Sequence, residues 1–282
     1  MQVKSNTLKT TLSVWIMAVV IFVITIGVGQ ILVSALGNNI AIVLRALLLS
    51  ALFGLIVFLA SRREGISRES LGIQRASKNI YYFLLGSSLL VIPLGITILL
   101  SSLVGWASFS FNYDTAIVQT QILSMLTVLL FESFPEELIF RGYILGKLDA
   151  SMNKWKSGAL TTLLFVLFPV VVIPIQSFIL GLPTNIGGNS ELTGGYLMYM
   201  TLFGAFTVWL RRLTGNLWTT IGFHVFFVSM NNLLGLTDNS LILITDYSNE
   251  GPIQITLIAS ILLILGTTIL VSKRKKNLPQ TV

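Results

Sequence analysis

"FESFPEELIFRGYIL", residues 131–145, places three carboxylates and an arginine in an otherwise apolar run. Glu132, Glu136 and Glu137 fall within six residues, Pro135 stands among them, and Arg141 follows. The rest of the chain makes this cluster conspicuous. Of its 282 residues, 54% are hydrophobic and 10% are charged, where a soluble domain carries roughly 25% charged residues. Most of the surface must therefore face lipid. The longest polar stretch, Ser61 to Asn79, is too short to build a soluble core and reads as a loop.

A membrane-crossing helix needs about 20 mostly apolar residues. Eight segments qualify: Thr11–Leu36, Ile40–Ala60, Ile80–Val104, Thr115–Phe140, Gly158–Leu180, Gly194–Leu210, Leu217–Leu236 and Ile253–Val271. The first is longer than the apolar core of a signal peptide, typically about 7–15 residues, and reads as a retained anchor. The expected fold is all-α, a polytopic bundle of about eight transmembrane helices. It divides into residues 1–110 (helices one to three), 111–240 (a core of helices four to seven) and 241–282 (the last helix and a basic tail).

The charges orient this map. Of the 18 basic residues, 17 fall on one side of it: Lys4, Lys9, the group from Arg62 to Lys78, the group from Arg141 to Lys156, Arg211, Arg212 and the tail from Lys273 to Lys276. The opposite loops hold Asp114, Glu191, Asp238, Asp246 and Glu250 and no lysine or arginine. This is the positive-inside pattern. It predicts a multi-pass protein of the cell membrane with both termini in the cytoplasm. Arg45, the exception, sits near the outer end of span two, where it is predicted to snorkel. The net charge of +7 thus sets orientation and lipid contact, and nucleic acid is not an expected partner. Residues 181–191, "GLPTNIGGNSE", read as a flexible external loop. Cysteine is absent and histidine occurs once, which excludes disulfides, thiolate chemistry and sites needing two histidines.

In a helix each residue turns about 100° and rises about 1.5 Å. Glu132 and Glu136 are then one turn apart on nearly the same face. Glu137 and Arg141 are also four apart, with the acid first, the better order for an ion pair. One face can hold a free carboxylate while its neighbour holds a neutralised one. Pro135 cannot donate to the carbonyl of Phe131, which predicts a kink, tolerated in a membrane where protein or a cavity covers it. The competing reading is a helix end near Phe140, with Glu137 and Arg141 forming a surface pair worth at most about 1 kcal/mol.

A second stretch bears on the first. "RRLTGNLWTTIGFHVFFVSMNNLL", residues 211–234, opens with two arginines, makes a Gly-Asn turn, and sets Trp218 as an interfacial anchor. His224 follows two turns into span seven. A lone histidine on an apolar helix is usually a satisfied core residue. Here His224 and Glu136 enter from the same side to similar depth, and a carboxylate with an imidazole can share acid–base work.

Together the two stretches resemble the CAAX protease and bacteriocin-processing (CPBP, or Abi) family of intramembrane proteases. "PEELIFRG" matches its Glu-Glu-x-x-x-Arg signature through Glu136, Glu137 and Arg141, and "TGNLWTTIGFH" matches its histidine-bearing region through His224. The resemblance covers roughly residues 120–236. It implies an intramembrane endopeptidase: Glu136 activates a water, Glu137 and Arg141 hold its geometry, and His224 stabilises the developing oxyanion. Eukaryotic members cleave prenylated C-terminal peptides; many bacterial ones are linked to bacteriocin immunity or maturation and to envelope functions.

The chain departs from the family pattern twice. The second motif, Phe-x-x-x-His, appears as "FVLFP", with Phe165 kept and Pro169 in place of histidine. The position four residues past His224 is Val228, and the first asparagine is Asn231, on the face of His224 but about 10 Å further along the axis. No cofactor is called for. A zinc ion normally takes three or more protein ligands, and Glu136, His224 and Glu132 make a poor set; whether a metal is used stays open. The readings are therefore an endopeptidase, intact or weakened by the lost histidine, a non-catalytic protein binding membrane partners, and a small proton- or cation-coupled transporter using Glu132 and Glu136. The partners expected are membrane lipids and a peptide or membrane protein.

Overall fold

The structure, a computed structural model, describes residues 2–182, 192–235, 240–247 and 266. Its helices are α1 (Gln2–Leu36), α2 (Asn38–Glu64), α3 (Ala76–Val104), α4 (Thr115–Ser151), α5 (Lys154–Leu180), α6 (Gly194–Thr214) and α7 (Leu217–Leu233). Among the described residues, α1 to α5 are long and apolar enough to cross a bilayer. The fold is the all-α membrane bundle expected, and the first seven predicted spans coincide with these helices. The eighth span, Ile253–Val271, the basic tail and most of the loop at 181–191 lie outside the described residues.

One boundary moves in a way that matters. Span four was expected to stop near Phe140, but α4 runs on to Ser151. Leu145 and Leu148 continue its buried stripe, and only the extended Met152 ends it. Asn153 then starts α5, its side chain accepting the Lys156 N–H at 2.9 Å. The acidic cluster is therefore inside a long helix, with about ten further residues of helix beyond Arg141.

Residues 1–79 and 129–220 form one compact unit. In it α1 packs on α2 and α5, burying Leu49, Phe53, Ile139, Phe140 and Leu148 completely. Large apolar residues such as Ile16, Ile31, Leu55 and Phe178 point outward, as a lipid solvent requires. Arg212 donates to both oxygens of Asp149, at 2.6 and 3.2 Å, and to the Ser157 hydroxyl at 2.9 Å. Lys147 pairs with Glu64. These bonds gather the ends of α2, α4 and α6 and the start of α5, so loops predicted to share a side do share one. Arg45 does not snorkel outward. Its guanidinium lies over the Phe131 ring, 4.6 Å from the centroid, in space left by Gly29, where a Cβ would come within 2.5 Å of Arg45 Cδ.

Residues 80–128 and 221–282 form the second unit. It carries a three-stranded sheet absent from the sequence reading: β1 (Ala107–Phe111), β2 (Leu234–Gly235) and β3 (Ile242–Tyr247). β3 is central, antiparallel to β1 from Ala107↔Tyr247 to Phe111↔Ile242 and parallel to β2. These segments are connectors between spans, too short to show a periodic pattern of their own. In the same unit α7 approaches α3 at Gly222, where an added Cβ would meet the Phe83 carbonyl oxygen at 2.1 Å.

Two outcomes are expected from this architecture. Topology reporters fused after Asn185 and after Asn249 should both register the external side; a cytoplasmic signal at either position would contradict the charge map. Gly222→Ala should force α7 from α3 and lower stability by about 1–3 kcal/mol, the usual penalty of overpacking, read as a drop in melting temperature of purified protein.

Candidate active site

Around Pro135, where a kink is predicted, the helix changes its winding. α4 is α-helical to Val128, π-helical over Leu129–Ser133, α-helical over Phe134–Glu137, π-helical again over Leu138–Ile144, and α-helical to Ser151. The physical reason starts with the missing N–H of proline. In the wider π register the carbonyl of Leu130 would be served by residue 135, which has no N–H to give. The hydroxyl of Ser50, on α2, donates to that carbonyl instead. π-turns of this kind are rare and concentrate at functional sites. Here they re-aim the acidic side chains from the positions that uniform 100° steps imply.

Glu137 and Arg141 form the centre of the first unit. Both side chains are 0% exposed, and Arg141 Nη1 lies 3.1 Å from Glu137 Oε1, so the surface-pair alternative is excluded. Arg141 Nη2 reaches the Gly204 carbonyl of α6 at 3.5 Å. Three rings enclose the guanidinium: Phe165 at 4.1 Å, Phe203 at 5.9 Å and Phe140 at 6.0 Å from centroid to Cζ. Phe165 is stacked with Phe203 at 5.8 Å and meets Phe140 edge-on at 5.3 Å. Gly204 is part of the enclosure, since a Cβ there would sit 3.1 Å from both Phe165 and Thr162. Phe165, the surviving half of the degenerate second motif, thus holds Arg141. The Phe-x-x-x spacing was the signal for it, although the sequence reading gave it no task.

Glu136 and Glu132 differ from Glu137 in exposure: both are half-buried. Glu132 lies within electrostatic reach of Arg45, and Glu136 within reach of Arg141. The side chain of Tyr196, on α6, is close enough to feel both carboxylates. Arg45, the one basic residue inside a predicted span, was the sequence signal for this neighbourhood; Tyr196 had none. An open groove of about 820 Å³ lies one turn beyond Arg141, lined by Glu64, Ser70, Gly142, Tyr143 and Lys147 among others. It is lined by neither Glu132 nor Glu136.

The histidine helix starts as the sequence implies. Gly215, with φ of 68°, ends α6 by donating its N–H to the Arg211 carbonyl. Asn216, fully buried, then caps α7 by accepting the Trp218 N–H at 2.8 Å, and the Leu217 N–H bonds the Gly72 carbonyl at 2.9 Å. Trp218 packs on Phe134 at 6.1 Å, one residue from Pro135, so this predicted interfacial anchor is held by a protein ring. His224 is 4% exposed, within the second unit. Asn231 lies on the last turns of α7. Pro169 is half-buried and α5 continues through it. Among the described residues no group of three or more histidine, cysteine or acidic side chains is placed to hold a metal. The residues present do not fit a resident metal, and no step below runs through one.

Residues 118–230 match the family described as type II CAAX prenyl endopeptidase, Rce1-like. That segment is similar to the CAAX protease family, and the match takes in the motifs at Glu136, Glu137, Arg141 and His224. The match spans about two fifths of the chain and takes in the re-wound part of α4, all of α5 and α6, and His224. Comparison with curated proteins and with solved structures finds no match. The long apolar helices, together with this likeness, point to an integral membrane protein.

The buried pair carries a stability expectation. Glu137→Ala or Arg141→Ala leaves a charge stranded in a dry site and should cost about 3–5 kcal/mol. Replacing both with methionine should recover most of the loss, because the stranded charge is gone. Melting of the four proteins in one detergent checks this; a double variant as unstable as the singles combined would show that the pair is not the source.

Proposed function

We propose that the protein is a CAAX-type intramembrane endopeptidase in which Glu136 is the general base. One observation carries the reading: of two adjacent glutamates, Glu137 is buried against a caged arginine while Glu136 keeps partial access. Glu137 is occupied by its arginine, whereas its half-exposed neighbour has room to meet water. Glu136 removes a proton from water as the oxygen attacks the peptide carbonyl carbon. The C=O π electrons move to oxygen. The C–N bond then breaks, and Glu136 returns the proton to the departing amine. The family description supports a prenylated peptide as the substrate class, and the charge map supports cytoplasmic termini.

Hydrolysis of an internally quenched prenylated peptide by the full chain in liposomes tests this. Glu136→Gln keeps shape but cannot take a proton, and should slow cleavage by about 10²–10⁴-fold, the usual share of general acid–base catalysis. Undiminished cleavage by that variant overturns the assignment.

Pro169 favours a second reading, a weakened or non-catalytic relative that binds a membrane partner, as in bacteriocin immunity or envelope regulation. Proline offers no base, ligand or donor where the family motif has histidine. In that case Glu136→Gln leaves the cellular phenotype intact, bulky substitutions around the half-buried glutamates abolish it, and Pro169→His raises peptide cleavage.

A further inference from the structure

The two polar contacts between α4 and α6 give their register. Arg141 meets Gly204, and Asp149 meets Arg212. Both pairs are 63 residues apart in the chain, so the two helices run in the same direction at a constant offset. On α6 Tyr196 stands eight residues, or roughly 12 Å of rise, before Gly204, towards the same end from which Glu132 and Glu136 precede Arg141 on α4.

The face agrees with the level. Tyr196 precedes Phe203 by seven residues, close to two full helical turns, so both project from the same side of α6. Phe203 lies against the Arg141 guanidinium. Tyr196 therefore points from α6 towards the same helix, two turns above the caged arginine. Its phenol is within electrostatic reach of Glu136 and Glu132, consistent with this placement. The helix start is also held: Thr193 accepts the Tyr196 N–H at 3.2 Å, which fixes the first turn from which the side chain projects. Pro169 stands one turn from Phe165 on α5, which runs opposite to α4, and so also lies above Arg141, near the level of the glutamates. Pro169, which stands where the resembled motif has histidine, offers no donor, and the phenol of Tyr196 comes from the next helix.

We infer that Tyr196 is a catalytic residue, its phenol O–H donating a hydrogen bond to the scissile carbonyl oxygen while Glu136 delivers hydroxide to the carbon. This rests on the proposed peptidase reading and extends it. As water adds, its proton goes to Glu136 and the carbonyl π pair goes to oxygen. Tyr196 keeps its proton and shares it with that oxygen. When the tetrahedral centre collapses, the pair returns, the C–N bond breaks, and the proton on Glu136 leaves with the amine. A phenol suits the task because it donates without becoming charged, in a site that already holds three glutamates.

The test is steady-state cleavage of the internally quenched prenylated peptide by liposome-reconstituted full chain, comparing Tyr196→Phe and Tyr196→His with the parent. Loss of one oxyanion donor costs about 10²–10³-fold in kcat. Tyr196→Phe should show a loss of that size with KM within about twofold and an unchanged melting temperature. Tyr196→His, which restores a donor, should regain about a tenth or more of the parent rate. A Tyr196→Phe protein with parental kcat overturns the inference while leaving the peptidase reading intact. A loss confined to KM, or an equal loss in the histidine variant, also overturns it, since either marks packing rather than donation. A parent protein that fails to cleave, at a rate no greater than Glu136→Gln, overturns the peptidase reading and this inference with it.

Discussion

The ion pair between Glu137 and Arg141 is the constraint around which the first unit is arranged. Two charges out of water are tolerated only when each has a partner and the remaining polar atoms are covered. Here the cover comes from three helices: Phe140 from α4, Phe165 from α5, and Phe203 with the Gly204 carbonyl from α6. Each of those contacts also sets where its helix can sit. The absence of a side chain at Gly204 lets α6 approach Arg141, and the stacked Phe165 and Phe203 align α5 with α6. An interaction of modest net stability thereby specifies a packing arrangement that apolar side chains alone, in an apolar solvent, would specify poorly.

The pair also divides labour between adjacent carboxylates. Neighbours in sequence ordinarily share solvent and titrate alike. The alternation of α and π winding aims Glu137 at the arginine and leaves Glu136 on the accessible side. Glu132, one turn away, faces a different cation, Arg45. The result is one fully buried carboxylate held by arginine and two that are half-buried.

Much of this was legible in the sequence. The spans follow from hydropathy, and the Glu137–Arg141 pairing follows from four-residue spacing. The turn that starts α7 follows from Gly215 and Asn216, which have the conformational and capping chemistry such a turn needs. What was not legible depended on winding or on the meeting of distant helices. Uniform helical steps cannot anticipate two π segments, nor that the Leu130 carbonyl is served by a serine 80 residues earlier. Nor does local pattern reveal that Arg45 turns inward, since Gly29 on another helix makes the room. Tyr196 was silent for the same reason: an aromatic residue near a helix start reads as an interface anchor until the register between α4 and α6 is known.

The bond from Ser50 to the Leu130 carbonyl has a consequence for how the protein is made. A carbonyl without a donor is costly in hydrocarbon, so the re-wound helix is poorly suited to lipid by itself. Chains are synthesised from the N-terminus, and α2 enters the bilayer two spans before α4. The hydroxyl that completes the helix around Pro135 is therefore already waiting when that proline arrives. This irregular span is completed not by its own residues but by a hydroxyl on a helix that precedes it in the chain.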